Sequence, residues 1–260
     1  MIRIAAVGDL HAGPDSVGTI RPRFEGVTDR ADLLLLAGDL TRRGTAEEGR
    51  IVAAELRGLG LPVIAVLGNH DHHSGEEATI RRSLEDAGVQ VLEREGVVLE
   101  FDGATLGIAG TKGFGGGFAG ASASAFGERE MKAFIGHTEE LAAGLEAALA
   151  GLRADVRIAL THYAPVDATL AGERLEIFPF LGSYLLAEAI DRAGADLAIH
   201  GHAHRGTEKG VTAGGVTVRN VAETVIGHAY KVYRLGDRSA DDVVGEATGR
   251  SSTSTTPSRP

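Results

Sequence analysis

The sequence predicts an α/β fold built on a mixed sheet, and three observations carry that reading. Residues 33–37 and 63–67 are continuous apolar runs and residues 2–7 are apolar but for Arg3, the pattern of strands covered on both faces. Helical patterns alternate with such runs through the first half of the chain. The dipeptide Asp102-Gly103 between two apolar segments signals a hairpin, which makes the sheet mixed rather than purely parallel.

In chain order, residues 1–10 carry too short an apolar stretch for a secretion signal, and no small-residue cleavage site follows. They read as the first strand and point to a cytoplasmic protein. After the second strand a helix is expected over 46–59. Thr45 and Glu48 offer a capping box at its start, and Ile51, Val52, Glu55, Leu56 and Leu59 form a stripe with one polar member. Gly58, Gly60 and Pro62 close it. A second helix over 76–87 ends at Gly88, and strands follow at 89–92, 97–101 and 105–109. Residues 110–127 are a Gly/Ala/Ser-rich loop carrying Phe114, Phe118 and Phe126. Helices are expected over 128–149 and 183–193, with strands at 156–160, 196–199, 216–221 and 230–235. From about residue 236 the composition changes, so the domain is expected to span 1–236 and residues 237–260 to form a disordered Ser/Thr/Pro-rich tail.

A chain of 260 residues with 43% hydrophobic content fits one large domain with a sizeable core. It has no Cys, which excludes disulfides, thiolate metal sites and a Cys nucleophile. Any metal must be held by nitrogen and oxygen. The net charge of −10 argues against nucleic acid or an anionic membrane as partner, since both reward basic surfaces. It leaves a small phosphate ester open, because two divalent cations would make a pocket locally positive inside an acidic protein.

Short polar motifs follow the apolar runs. They are Gly-Asp-Leu-His (Gly8–His11), Gly-Asp (Gly38, Asp39), Gly-Asn-His-Asp (Gly68–Asp71), Leu-Thr-His-Tyr around His162, and Gly-His-Ala-His (Gly201–His204). In extended chain, residues two apart point the same way, so Asp9 pairs with His11 and His202 with His204. Open α/β sheets gather ligands outside the carboxyl ends of their strands. Asp39, Asn69 and His162 occupy that kind of position too, and all seven are expected in one crevice.

These motifs, in this order, resemble the calcineurin-like metallophosphoesterase superfamily over residues 2–235. The resemblance implies a four-layer αββα sandwich, two mixed sheets face to face with helices outside, and a dinuclear site. It implies that Asp9, His11 and His204 hold one divalent ion, that Asn69, His162 and His202 hold a second, and that Asp39 bridges both. Carboxylate and imidazole suit Mn, Fe or Zn. Such a pair acidifies a shared water, giving a bridging hydroxide that attacks phosphorus in line. His70, beside Asn69, is implied as the catalytic residue that stabilises the transition state or protonates the leaving oxygen.

One position departs from the pattern. Many members read Gly-Asp-x-x-Asp, whose second Asp orients this histidine; here Arg42 stands there, and an Arg cannot accept an imidazole N–H. Either Asp71 or another carboxylate is expected to orient His70, or its acid role is weaker. Arg42 is a candidate substrate-phosphate contact or a solvated surface arginine. His72 approaches substrate or solvent, and Phe114 stacks on a leaving group or anchors its loop. His200 reads as structural or as a support behind the ligands, and His137 and His228 have no spacing that supports a role. Residues 112–124 are neither a P-loop nor a dinucleotide fingerprint.

The expected function is hydrolysis of a P–O bond in a small phosphodiester or cyclic nucleotide. A phosphomonoester or phosphoprotein is the alternative. A non-catalytic scaffold would be expected to have lost ligands or His70, and here all are present. The oligomeric state is left open.

Overall fold

Strands this apolar need cover on both faces, and the three opening runs receive it apart from Arg3, which is half-buried and pairs with Asp32. In the computed structural model, which describes residues 1–235, they lie side by side as parallel strands β1 (Ile2–Val7), β2 (Leu33–Ala37) and β3 (Val63–Val66). β4 (Val89–Val91) extends the parallel set, and β13 (Lys231–Leu235) returns antiparallel to β1. The expected tail at 237–260 lies outside the described residues.

The second sheet is built around the predicted hairpin. β5 (Glu95–Phe101) and β6 (Ala104–Thr111) pair antiparallel, with Phe101 opposite Ala104 and Gly103 at φ 83° in the two-residue turn. β6 then continues in parallel to β9 (Val156–Thr161), β10 (Leu197–His200) and β12 (Thr217–Asn220), and β11 (Lys209–Val211) closes the far edge antiparallel to β12. Both sheets are mixed.

Alternation along the second sheet splits its side chains between two cores. Ile108, Ile158, Leu197 and Ile199 face the first sheet and share a buried cluster with Ile4, Leu34, Leu36 and Ile64. Ala109, Ala159, Ala198 and Val218 point the other way and pack under helices α4 (Arg129–Gly151) and α6 (Tyr184–Ala193). Helices α2 (Ala46–Leu56) and α3 (Glu77–Glu85) cover the first sheet through Val52, Leu56, Ile80 and Leu84. The result is helix, sheet, sheet, helix. Short helices α1 (Val27–Arg30), α5 (Phe178–Leu181) and α7 (Glu223–Ile226) line connections.

The capping box at Thr45 and Glu48 forms as expected. α2 stops at Leu56 rather than Leu59, with Gly58 at φ 68° beyond it. Glu55, the polar member of the stripe, is buried because its carboxylate accepts the main-chain N–H groups of Gly18, Ile20 and Arg21 at 2.7, 3.1 and 2.8 Å. The Gly-rich loop is shorter than expected. β6 runs to Thr111, and a small hairpin, β7 (Gly117–Phe118) with β8 (Ala121–Ser122), forms inside it. Among the described residues no helix is long and apolar enough to cross a membrane.

Candidate metal centre

The stacking places five parallel strand ends at one edge. Asp9, Asp39 and Asn69 follow β1, β2 and β3 of the first sheet, and His162 and His202 follow β9 and β10 of the second. His11 and His204 lie two residues further on. The seven residues named from the sequence are brought together.

Holding them costs backbone strain. Asp9, His11, Asp39 and His202 have φ of 64, 44, 50 and 70°, four of the five non-glycine residues with positive φ among the described residues. Each costs roughly 1–3 kcal/mol, so the strain is concentrated where side chains must be aimed. The glycines that open the motifs answer to close approach. A Cβ on Gly68 would lie 2.1 Å from Asp39 Oδ1, and one on Gly201 would lie 2.5 Å from Asp9 Oδ2.

Two donor clusters form, Asp9–His11–Asp39–His204 and Asp39–His162–His202, each with ligand atoms within 4.8 Å of one another. Asp39 belongs to both. Its Oδ1 lies 3.3 Å from His162 Nε2, and its Oδ2 lies 3.9 Å from His11 Nε2. Asn69 Oδ1 is 2.9 Å from His162 Nε2, which places the amide oxygen beside the second cluster. In the first, His204 Nε2 is 2.9 Å from Asp9 Oδ1 and 3.4 Å from His11 Nε2. Two imidazole nitrogens facing each other beside carboxylates suit a shared cation.

Main-chain carbonyls fix the rings. His162 Nδ1 donates to Ala37 O at 2.8 Å, leaving Nε2 for the centre. His202 Nε2 donates to Phe180 O at 3.2 Å, leaving Nδ1. A carbonyl acceptor of this kind sets the tautomer of a ligating histidine. His200, by contrast, is fully buried with both nitrogens engaged, by Gly201 O at 2.7 Å and Thr169 Oγ1 at 2.9 Å. It is structural.

His70 is oriented in the same way. Its Nδ1 lies 2.7 Å from the main-chain oxygen of Arg42, and its Nε2 faces inward, 4.0 Å from Asp39 Oδ2. The orienting group is thus a carbonyl at the substituted position rather than the carboxylate expected from the sequence. Asp71 does something else. Fully buried, it accepts from Leu40 N, Thr41 N, Thr41 Oγ1 and Gly68 N at 3.2, 2.8, 2.6 and 2.7 Å, tying the loops after β2 and β3 together. That role had no signal in the sequence beyond the motif itself.

The remaining candidates lie further out. The Arg42 guanidinium pairs with Asp15 at 2.8 Å, a partner any substrate phosphate would have to displace. His72 is exposed. Phe114 packs on Phe134, His137 and Tyr163 at centroid distances of 5.0, 4.9 and 5.7 Å, with Lys112 Nζ 4.7 Å from its ring. Phe118 is buried beside Leu170 and Leu181. Both aromatic rings anchor the Gly-rich loop.

Burial resists charge on Asp39, but His162 and the His70 N–H outweigh it and hold the carboxyl below the usual carboxylate range. Burial likewise opposes the His162 imidazolium, yet Asp39 overcomes it and the ring is pushed up to about 9. His202 is pushed down to about 3 by burial and by His162. A ring with a raised pKa is protonated at neutral pH and must lose that proton to bind a cation. Cation uptake at pH 7 should therefore release about one proton from His162. Affinity should fall as pH drops below about 9. Calorimetry in buffers of different ionisation enthalpy measures this; a heat independent of buffer would contradict it.

Among curated proteins, none matches the chain. Among solved structures, the phosphopantetheinyl hydrolase PptH from Mycobacterium tuberculosis is similar at 18% identity and TM-score 0.64, covering 84% of this chain and 88% of that one. A Staphylococcus aureus protein assigned as a 5′-nucleotidase, in complex with alpha-ketoglutarate, is similar at 14% identity and TM-score 0.55. That match covers 91% of this chain and 51% of the other. The family model for calcineurin-like phosphoesterase matches residues 2–206. The chain, with its stacked mixed sheets and motif-borne donor clusters, belongs to the calcineurin-like phosphoesterase family.

Proposed function

We propose that this metal-dependent phosphoesterase works with two divalent ions and hydrolyses a small phosphodiester or cyclic nucleotide. Asp9, His11 and His204 would hold one ion, Asn69, His162 and His202 the other, and Asp39 both. The observation that carries this reading is the division of Asp39, one oxygen facing His162 and the other His11. The donor set of imidazole, carboxylate and amide oxygen fits Mn, Fe or Zn, and the absence of Cys fits it further. When bound, such a pair supplies an acidified water and neutralises charge on the phosphoryl oxygens.

The chain's own part is positioning and proton transfer. With Nδ1 committed to Arg42 O, His70 presents Nε2 to the centre, where a protonated ring donates to the leaving oxygen. The carbonyl fixes the ring as a carboxylate would, without adding a countercharge. A net charge of −10 supports a small substrate over nucleic acid.

The test is a panel of bis-p-nitrophenyl phosphate, cyclic nucleotides and p-nitrophenyl phosphate with the metal-loaded chain, before and after chelation. Diester turnover that disappears with chelator is the expected result. Faster turnover of the monoester would favour the phosphomonoesterase or phosphoprotein phosphatase alternative, and a metal-loaded chain inert to every ester would overturn the enzyme reading.

A further inference from the structure

An open groove of about 690 Å³ lies between the β7–β8 hairpin, the start of α4 and α5. Its lining includes Ala121, Ala123, Met131, Phe134, Pro179 and Phe180. The volume is that of a small-molecule site. Glu130 is the one charged residue in the lining and Ser122 the one neutral polar side chain, so the groove has no basic group for a second phosphate and disfavours an anion.

The groove adjoins the metal centre through Phe180. The main-chain oxygen of this residue holds His202 Nε2 at 3.2 Å, while the residue, 61% exposed, lines the groove. Of the ten exposed large hydrophobic residues among the described residues, Met131 and Phe180 line the groove, and Phe126, Leu175, Ile177 and Tyr184 lie on the chain flanking its α4 and α5 walls. Such clustering marks a binding surface rather than scattered surface apolarity.

The wall is built rather than loose. Gly116 N donates to Pro179 O at 2.7 Å and Gly117 N to Gly182 O at 2.8 Å, fastening the Gly-rich loop to the segment that carries Phe180. A Cβ on Gly115 would lie 2.4 Å from Pro179 O. The glycines thus let the loop lie against α5, which gives this otherwise unassigned stretch a purpose.

We propose that the groove seats a neutral, largely apolar organic group of the phosphoester substrate while its phosphoryl group sits at the metal centre. This rests on the phosphoesterase reading and specifies its substrate class. The lining, with Glu130 and no basic side chain, disfavours polyphosphates and substrates that are anionic at both ends.

The test uses the full metal-loaded chain and non-hydrolysable probes: methylphosphonate, pentylphosphonate and phenylphosphonate, with binding followed by calorimetry. The apolar probes should bind about tenfold or more tighter than methylphosphonate, the gain expected from burying a ring or several methylenes. Met131→Glu and Phe180→Ser should each move that preference toward unity. Both side chains are exposed, and melting curves with metal content confirm that the variants fold. Equal affinity for all three probes would overturn the groove while leaving the phosphoesterase reading intact. If none binds while the same preparation hydrolyses bis-p-nitrophenyl phosphate, the groove proposal falls and the phosphoesterase reading stands; if it neither binds a probe nor turns over the diester, both fall. A chain that dimerises, and that Met131→Glu makes monomeric without changing probe preference, would show the groove to be an interface between copies and overturn the proposal.

Discussion

Asp39→Asn should remove both ions and activity together. The side chain keeps its shape, but one of the two oxygens that face the separate clusters becomes an amide nitrogen, which cannot accept. Changing only the partner that supports a metal ligand costs about 10–100-fold in affinity or activity. Loss of a shared anionic ligand should therefore exceed about 100-fold in both. The substitution also strips the buried His162 of the carboxylate that pushes its ring up to about 9, so the proton released on cation uptake should vanish. Metal analysis and turnover on bis-p-nitrophenyl phosphate read the two effects. Two ions retained at full rate would place the bridge elsewhere.

His70→Ala should lower turnover by about 10²–10⁴, the range of a positioned general acid, with both ions retained. The ring contributes no atom to either donor cluster, so metal content separates the two roles. Loss of the ions would show that His70 had been misassigned. Arg42→Ala sharpens the comparison. It deletes the guanidinium but keeps the carbonyl that receives His70 Nδ1, so it should leave turnover near that of the parent chain. An Arg42→Ala defect as deep as that of His70→Ala would mean that the side chain, not the carbonyl, serves the reaction.

The strand-end residues were readable from the sequence because buried parallel strands leave apolar runs, and the polar residue just past each run is where such sheets collect ligands. Asp9, Asp39, Asn69 and His162 are of this kind, and the Asp102-Gly103 turn gave the hairpin. What aims the rings was not readable. Ala37, Arg42 and Phe180 act through carbonyls that every residue owns, so no side-chain pattern announces them. Arg42 misled for that reason: the position kept its orienting task through the main chain when the side chain changed. β11 escaped because Lys209–Val211 has no apolar run, and the β7–β8 hairpin is too short to show a period. The groove was invisible too, since three segments far apart in sequence meet only in the folded chain.

The central claim is that Asp39 joins two cation sites in one centre. Titrating the metal-free chain with Mn²⁺ and counting bound ions tests it most directly. Two ions per chain are expected, falling together in Asp39→Asn. A single ion per chain, or none, would contradict the account.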